Sequence, residues 1–298
     1  MQSLASLLLF APLSYALPNP QYQPAVTPVF GDTSAVLRAE VKSKWYADPT
    51  AQSTSNYANQ LPANPGEYKC VGPTLDKFPS FEEWLSFEQL WDLNNNQDPS
   101  IPTWTVNGAV NTQYAGYVKS AIQSVSKKSG VDARIILSII LEECHGKLDV
   151  ECTDGDGSKS DCGMMQIRGG AKFDASKPQK SITQMVTDGV YGVPASRTQA
   201  TTNKNGTPGL LTLLNAVPGS LWGLPTDGYW CGNPYTTAKI YNTGNINGTN
   251  LNEQDPEDEM WFRVYPSDFA NRLLGWNGGI AGVQQSRSCP GFESRTDY

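Results

Sequence analysis

The sequence predicts a mainly α-helical protein, and three observations carry that prediction. Apolar residues recur at three- and four-residue spacings in several stretches, whereas the strict alternation of a half-buried strand is sparse. One run, Ile135, Ile136, Leu137, Ile139, Ile140 and Leu141, covers almost every side of a helical wheel, so a helix there has to be buried nearly all round. The 298 residues, with 39% hydrophobic content, suffice for one large domain, or one domain with an extension, around such a helix.

Residues 1–16 hold an apolar run from Leu4 to Leu13 followed by Ser14-Tyr15-Ala16, which fits a signal peptide cleaved before Leu17, although no Lys or Arg precedes the run. No other stretch approaches the roughly 18 to 20 apolar residues needed to span a bilayer, so the expectation is a secreted, extracellular protein without a membrane partner. Six cysteines in an exported chain predict three disulfides, with 15 connectivities open. The sequons Asn205-Gly206-Thr207 and Asn247-Gly248-Thr249 predict a glycoprotein if the source is eukaryotic. A net charge of −7 argues against nucleic acid and against simple electrostatic capture of an anionic bacterial wall.

Residues 17–113 read as an N-terminal extension. Its first part, 17–32, is rich in Pro and Gln and predicts a poorly ordered arm, 35–47 has a helical look, and 48–66 reads as loop. Ser80-Phe81-Glu82-Glu83 has the form of a capping box, and Trp84, Leu85, Phe87, Leu90 and Trp91 follow at helical spacings. This predicts one short helix ended by Asn94-Asn95-Asn96 and Pro99. Its aromatic face is expected to pack the extension onto the main domain rather than to serve as a sugar platform.

Residues 114–298 read as the main domain. A helix over 114–129 is stopped by Gly130, and Asp132 starts the buried helix, which Gly146 ends. Glu142 and Glu143 therefore fall in its last turn. The negative end of the helix dipole and burial both disfavour a carboxylate there, so a raised pKa, suited to a proton-donating acid, is expected. Further helices are expected over 181–189, at Leu210, Leu211, Leu213 and Leu214, and over 266–276, with loop at 225–234 and after Gly278, the tail being tied back by Cys289.

Adjacent helical residues point about 100° apart, so spacing cannot choose between Glu142 and Glu143. Glu143-Cys144-His145-Gly146-Lys147, followed by Gly163-Met164-Met165-Gln166-Ile167 and then by Ala238-Lys239-Ile240-Tyr241-Asn242-Thr243-Gly244, resembles the ordered motifs of goose-type lysozymes and bacterial soluble lytic transglycosylases, across roughly residues 114–276. The resemblance implies an α+β lysozyme-like fold, with a small hairpin lobe beside the cleft near 149–168. It implies Glu143 as the acid, Met165 and Gln166 lining the sugar cleft, Tyr241 near the acid and Asn242 holding the neighbouring loop. Where the family has Ser after the acid, this chain has Cys144, for which a disulfide is expected.

Cleaving a β-1,4 bond between amino sugars requires a proton for the leaving oxygen and either a second carboxylate or attack by the substrate's own groups. Among Asp149, Glu151, Asp154, Asp156 and Asp161, the water-activating base of a hydrolase is expected at Asp156, with Asp154 and Asp161 as rivals, and solvated turn residues as the plain alternative. Glu143 and Gly163 are 20 residues apart, close to the goose-type spacing. The acidic loop lacks the Gly and Glu of an EF-hand, and a lone His145 with scattered carboxylates makes no zinc site, so neither metal nor cofactor is expected. His145 is expected to pack or hydrogen-bond beneath the acid, and Trp222, Tyr229 and Trp230 are either sugar-stacking or buried. The function expected is a monomeric muramidase acting on peptidoglycan by hydrolysis or anhydro-forming transglycosylation. A chitin hydrolase of the same superfamily is the alternative, and a non-catalytic wall-glycan-binding effector the rival of another class.

Overall fold

The computed structural model describes residues 66–95, 104–153, 159–198, 206–215, 232–244, 246, 250–252 and 260–292. The expected signal peptide, the helix at 35–47, both sequon asparagines, Cys231, Asp154, Asp156, Trp222, Tyr229 and Trp230 lie outside them. The described chain is mainly helical. Its elements run α1 (Phe87–Asn94), β1 (Thr105–Val106), β2 (Ala109–Val110), α2 (Thr112–Ser129), α3 (Ala133–Cys144), β3 (Asp161–Cys162), β4 (Ile167–Arg168), α4 (Pro178–Tyr191), α5 (Ala195–Thr198), α6 (Leu210–Leu214), α7 (Pro234–Thr243), α8 (Met260–Leu273) and α9 (Ile280–Ser286).

The central helix is α3, whose residues Ala133 to Leu141 are all buried, with Ile135, Ile136, Leu137, Ile139 and Ile140 at 0% exposure. Asp132 caps it by accepting from the Arg134 N–H at 2.9 Å, and His145 closes it in the left-handed region at φ 49°. Around it pack α2, α1 and α8, while α2 also lies along α4. Ala115, Val118, Ala121, Ile122 and Val125 of α2 form one apolar stripe at three- and four-residue spacing, which is why this helix presents a single face to the core. Gly189 of α4 admits a close neighbour: a Cβ there would lie 2.2 Å from the Met165 sulfur.

The segment 80–91 departs from expectation. The capping box at Ser80 and Glu83 forms, but it caps only a 3-10 turn, Phe81–Glu83, after which Trp84 is extended and a second capping box, Ser86 with Gln89, starts α1. Tertiary partners break the helix. The Leu85 N–H donates to the Leu273 carbonyl at 3.0 Å, and Trp84 Nε1 donates to the Tyr235 hydroxyl at 2.8 Å. Trp84, Leu85, Phe87, Leu90 and Trp91 are all buried in the same core as α3, which is the packing role.

Two further corrections concern the C-terminal part. The last expected helix starts earlier, at Met260, with Pro266 inside it, because Tyr265, Phe269, Ala270 and Leu273 all bury apolar surface that outweighs one missing helical hydrogen bond. Beyond Gly278, where loop was expected, residues 280–286 form α9, and the Cys70–Cys289 disulfide secures the turn that follows it. Cys152–Cys162 is the second bridge among the described residues. Cys144, expected in a disulfide, is instead a free buried thiol that donates to the Ile140 carbonyl at 3.2 Å, because the last turn of α3 directs it back along the helix into the core.

Among the described residues, strand is confined to two antiparallel hairpins. β3 and β4 pair Asp161 with Arg168 and Cys162 with Ile167, and Thr153 bridges to Asp161 from the other side. β1 and β2 form a hairpin that the helical reading passed over, although its turn residues Asn107 (φ 51°) and Gly108 (φ 75°) are a recognisable two-residue hairpin signal. Thr105 then bridges to Lys147, which places this hairpin against the chain just past α3. Among the described residues, no helix is long and apolar enough to cross a membrane.

Candidate active site

The C-terminal end of α3 delivers Glu142 and Glu143 to α8, and the two carboxyls meet different partners. Glu142 forms an ion pair with the Arg272 Nε, both side chains being almost fully enclosed at 5% and 3% exposure. Arg272 also donates to the Leu141 carbonyl at 3.3 Å and lies 4.9 Å from the centroid of the Trp276 ring. Its Nη2 is 3.4 Å from His145 Nδ1.

Glu143 meets no cation among the described residues. Its Oε1 accepts a 2.5 Å hydrogen bond from the Tyr265 hydroxyl. Tyr265 and Arg272 are seven residues apart on α8, two helical turns or about 10.5 Å along one face, which is how one helix serves two adjacent carboxyls. Burial pushes the Glu143 carboxyl up to about 8 from its ordinary 4.5; the Tyr265 hydrogen bond opposes this, and the charges of Glu142 and Asp161 add to it. Burial and the nearby Glu143 likewise hold the Tyr265 phenol well above its usual range. Burial pushes the Cys144 thiol up to about 12, which leaves it unsuited to nucleophilic chemistry.

The β3–β4 turn lies close to the acid, since the charge of Asp161 on β3 acts on Glu143. Gly163, at φ 76°, allows the chain to turn where a Cβ would lie 2.3 Å from the Ala171 carbonyl oxygen. The Met165 side chain is at 0% exposure, so it packs the core, and its carbonyl accepts from the Tyr241 hydroxyl at 2.7 Å. Gln166, at φ 39°, turns its amide inward: Oε1 accepts from Thr153 Oγ1 at 2.7 Å, and Nε2 donates to the carbonyls of Gly163 at 2.9 Å and Glu151 at 3.3 Å. The amide therefore braces the loop closed by Cys152–Cys162. Burial, with the charges of Glu143, Asp161 and Asp188, raises the Tyr241 phenol well above its usual range. Asn242 follows it on α7, and its buried Oδ1 has no hydrogen-bond partner among the described residues.

The structure thus gathers Glu143, Tyr241, the Met165 backbone and Asp161 in one region. Asp161 is buried on β3, between Arg168 of β4 and the Thr153 bridge, and paired with Arg168 Nε at 3.2 Å. Asp156 lies outside the described residues. Tyr265 and Arg272 were not singled out from the sequence, and no local motif marks them. Among the described residues, no cluster of His, Cys, Asp and Glu is arranged to hold a metal ion. Compared with known protein families, curated proteins and solved structures, the chain matches none.

Proposed function

We propose that the chain is a secreted glycoside-cleaving enzyme that cuts the β-1,4 bond between N-acetylmuramic acid and N-acetylglucosamine in peptidoglycan, with Glu143 as general acid. The observation that carries this reading is the Glu143 carboxyl itself: desolvated at a helix C-terminus, held by one tyrosine hydroxyl, and pushed up to about 8, it keeps its proton at neutral pH. Such a group can protonate a poor leaving oxygen. As the bond breaks and positive charge develops at the anomeric carbon, Glu143 becomes the carboxylate, and the Tyr265 O–H then donates to an anion. Glu142, neutralised by Arg272, is in no position to take this part. The ordered motifs around Glu143, Gly163 and Tyr241 support the lysozyme-like assignment, and the two disulfides fit an extracellular setting.

The test is mass spectrometry of products released from peptidoglycan and, in parallel, from chitin oligomers. Reducing muropeptides are expected of a hydrolase and anhydro-muropeptides of a transglycosylase. Either should disappear in Glu143→Gln while fold and glycan binding persist. Release of chito-oligomers alone would redirect the substrate, and undiminished product from Glu143→Gln would overturn the assignment of the acid.

A further inference from the structure

Most described aromatic side chains are enclosed; only Phe81, Tyr114, Tyr117, Phe173 and Tyr241 keep part of their surface in water. Three of these five form one cluster. The Tyr114 and Tyr117 rings on α2 lie 6.3 Å apart at an interplanar angle of 28°, and the Phe173 ring is 5.4 Å from Tyr114. Gln113 Nε2 donates to the Tyr117 hydroxyl at 2.8 Å, which orients that ring.

The chain links this ledge, packed against the main core, to both hairpins. α2 follows β2 directly through Asn111, whose N–H donates to the Trp104 carbonyl at 3.1 Å, and the adjacent Thr105 bridges to Lys147 just past the acid. Phe173 lies shortly beyond β4, whose turn carries the Met165 carbonyl held by Tyr241. Electrostatics single out the same segment. Residues 171–180 hold Lys172, Lys177 and Lys180, all exposed, against Asp174 alone, in a chain whose net charge is −7. Asp174 is engaged locally, accepting from the Ser176 N–H at 2.8 Å and Oγ at 2.6 Å. α2, which contributes the two tyrosines, carries no acidic residue; its Lys119 pairs with Glu88 at 2.6 Å, and Lys127 and Lys128 lie in its last turn.

We propose that the ledge of Tyr114, Tyr117 and Phe173, with Lys172, Lys177 and Lys180, is a carbohydrate subsite for an anionic glycan. Sugar rings lie on the aromatic faces, and the carboxylates of the attached stem peptides or unsubstituted muramic acids meet the lysines. The proposal rests on the glycan-cleaving reading of Glu143 and deepens it, because a neutral chitin chain offers rings without carboxylates, whereas peptidoglycan strands offer both. It also answers the mismatch between an acidic protein and an anionic wall: capture is local, not global.

The test uses full-length Glu143→Gln protein, to prevent turnover, and measures its depletion from solution by insoluble peptidoglycan and by chitin particles. Two sets of changes are added to it: Tyr114→Ala with Phe173→Ala, and the exposed Lys172→Gln, Lys177→Gln and Lys180→Gln. Both sets should weaken retention on peptidoglycan by about fivefold or more, and the lysine set should also lose most of the salt sensitivity of binding. The lysine set, being on the surface, reports even if the aromatic set unfolds. Retention of both sets equal to the parent would overturn the subsite while leaving the enzyme reading standing. A parent retained by neither glycan, from a native protein that releases no product, would overturn both.

Discussion

Glu142 and Glu143 share chemistry and a helical turn, but their side chains diverge by about 100° and so meet different surroundings on α8. For Glu143 the consequence is a proton balance. Below about pH 4.5 folded and unfolded chains both hold its proton; from there to about pH 8 the unfolded chain releases it and the folded chain keeps it. Folding takes up a proton in that window, so stability should fall as pH rises through it and level off above. Glu143→Gln should remove this slope and exceed the parent's stability at the alkaline end by an amount on the order of a few kcal/mol, as read by urea denaturation across the window. A parent curve as flat as the variant's would count against the half-buried, neutral acid. Tyr265 works in the other direction, since its hydrogen bond holds the Glu143 pKa below the value burial alone would set. Tyr265→Phe should therefore move the alkaline limb of the kcat/KM profile to higher pH, and a downward shift would contradict the assigned contact.

At the scale of elements, the junction of α3 with α8 sets the site. Glu142→Gln leaves the Arg272 guanidinium buried without its carboxylate, which should cost about 3–5 kcal/mol of stability while turnover per folded molecule is largely kept. Comparing denaturation midpoint with specific activity separates this loss from the chemical loss in Glu143→Gln. On α4, Gly189→Ala drives a Cβ into Met165, at 2.2 Å from its sulfur and 2.7 Å from its own Cβ. A glycine-to-alanine change inside a helix ordinarily helps; here about 1–3 kcal/mol of destabilisation is expected, because the turn held by Tyr241 must shift. A variant as stable as its parent would mean that α4 yields without strain.

Across the whole molecule, the segment near residue 70 straps onto the half of α8 that carries Arg272. Cys70 is bonded to Cys289, 219 residues away, the Tyr68 hydroxyl donates to Asp268 at 2.6 Å, and Asn271 exchanges hydrogen bonds with the Lys69 backbone at 2.7 and 2.9 Å. Tyr68 also meets Trp276 edge-on at 5.1 Å. Replacing Cys70 and Cys289 by Ala should lower stability by about 2–5 kcal/mol, measured by thermal or urea unfolding. Because α8 also positions Tyr265, activity should fall with temperature earlier than in the parent; unchanged thermal inactivation would show that the strap does not support the site.

The sequence by itself determined the all-round burial of α3, the stop at Gly130 and the start at Asp132, and a carboxyl pair in the last turn of a buried helix. These follow from interactions within a helical turn or two, which periodicity and capping residues report directly. The Asn107-Gly108 hairpin was equally legible and was passed over. Tertiary structure alone decided which glutamate faces Arg272 and which faces Tyr265, since those partners lie 130 and 122 residues away and no local pattern ties them to α3. It also decided that Cys144 stays a thiol, that the Gln166 amide turns inward to Thr153, and that the helix suggested by residues 80–91 breaks at Trp84. In each case a local preference of a kcal/mol or so yielded to the burial of large side chains and the pairing of buried polar groups, which only the folded chain brings together.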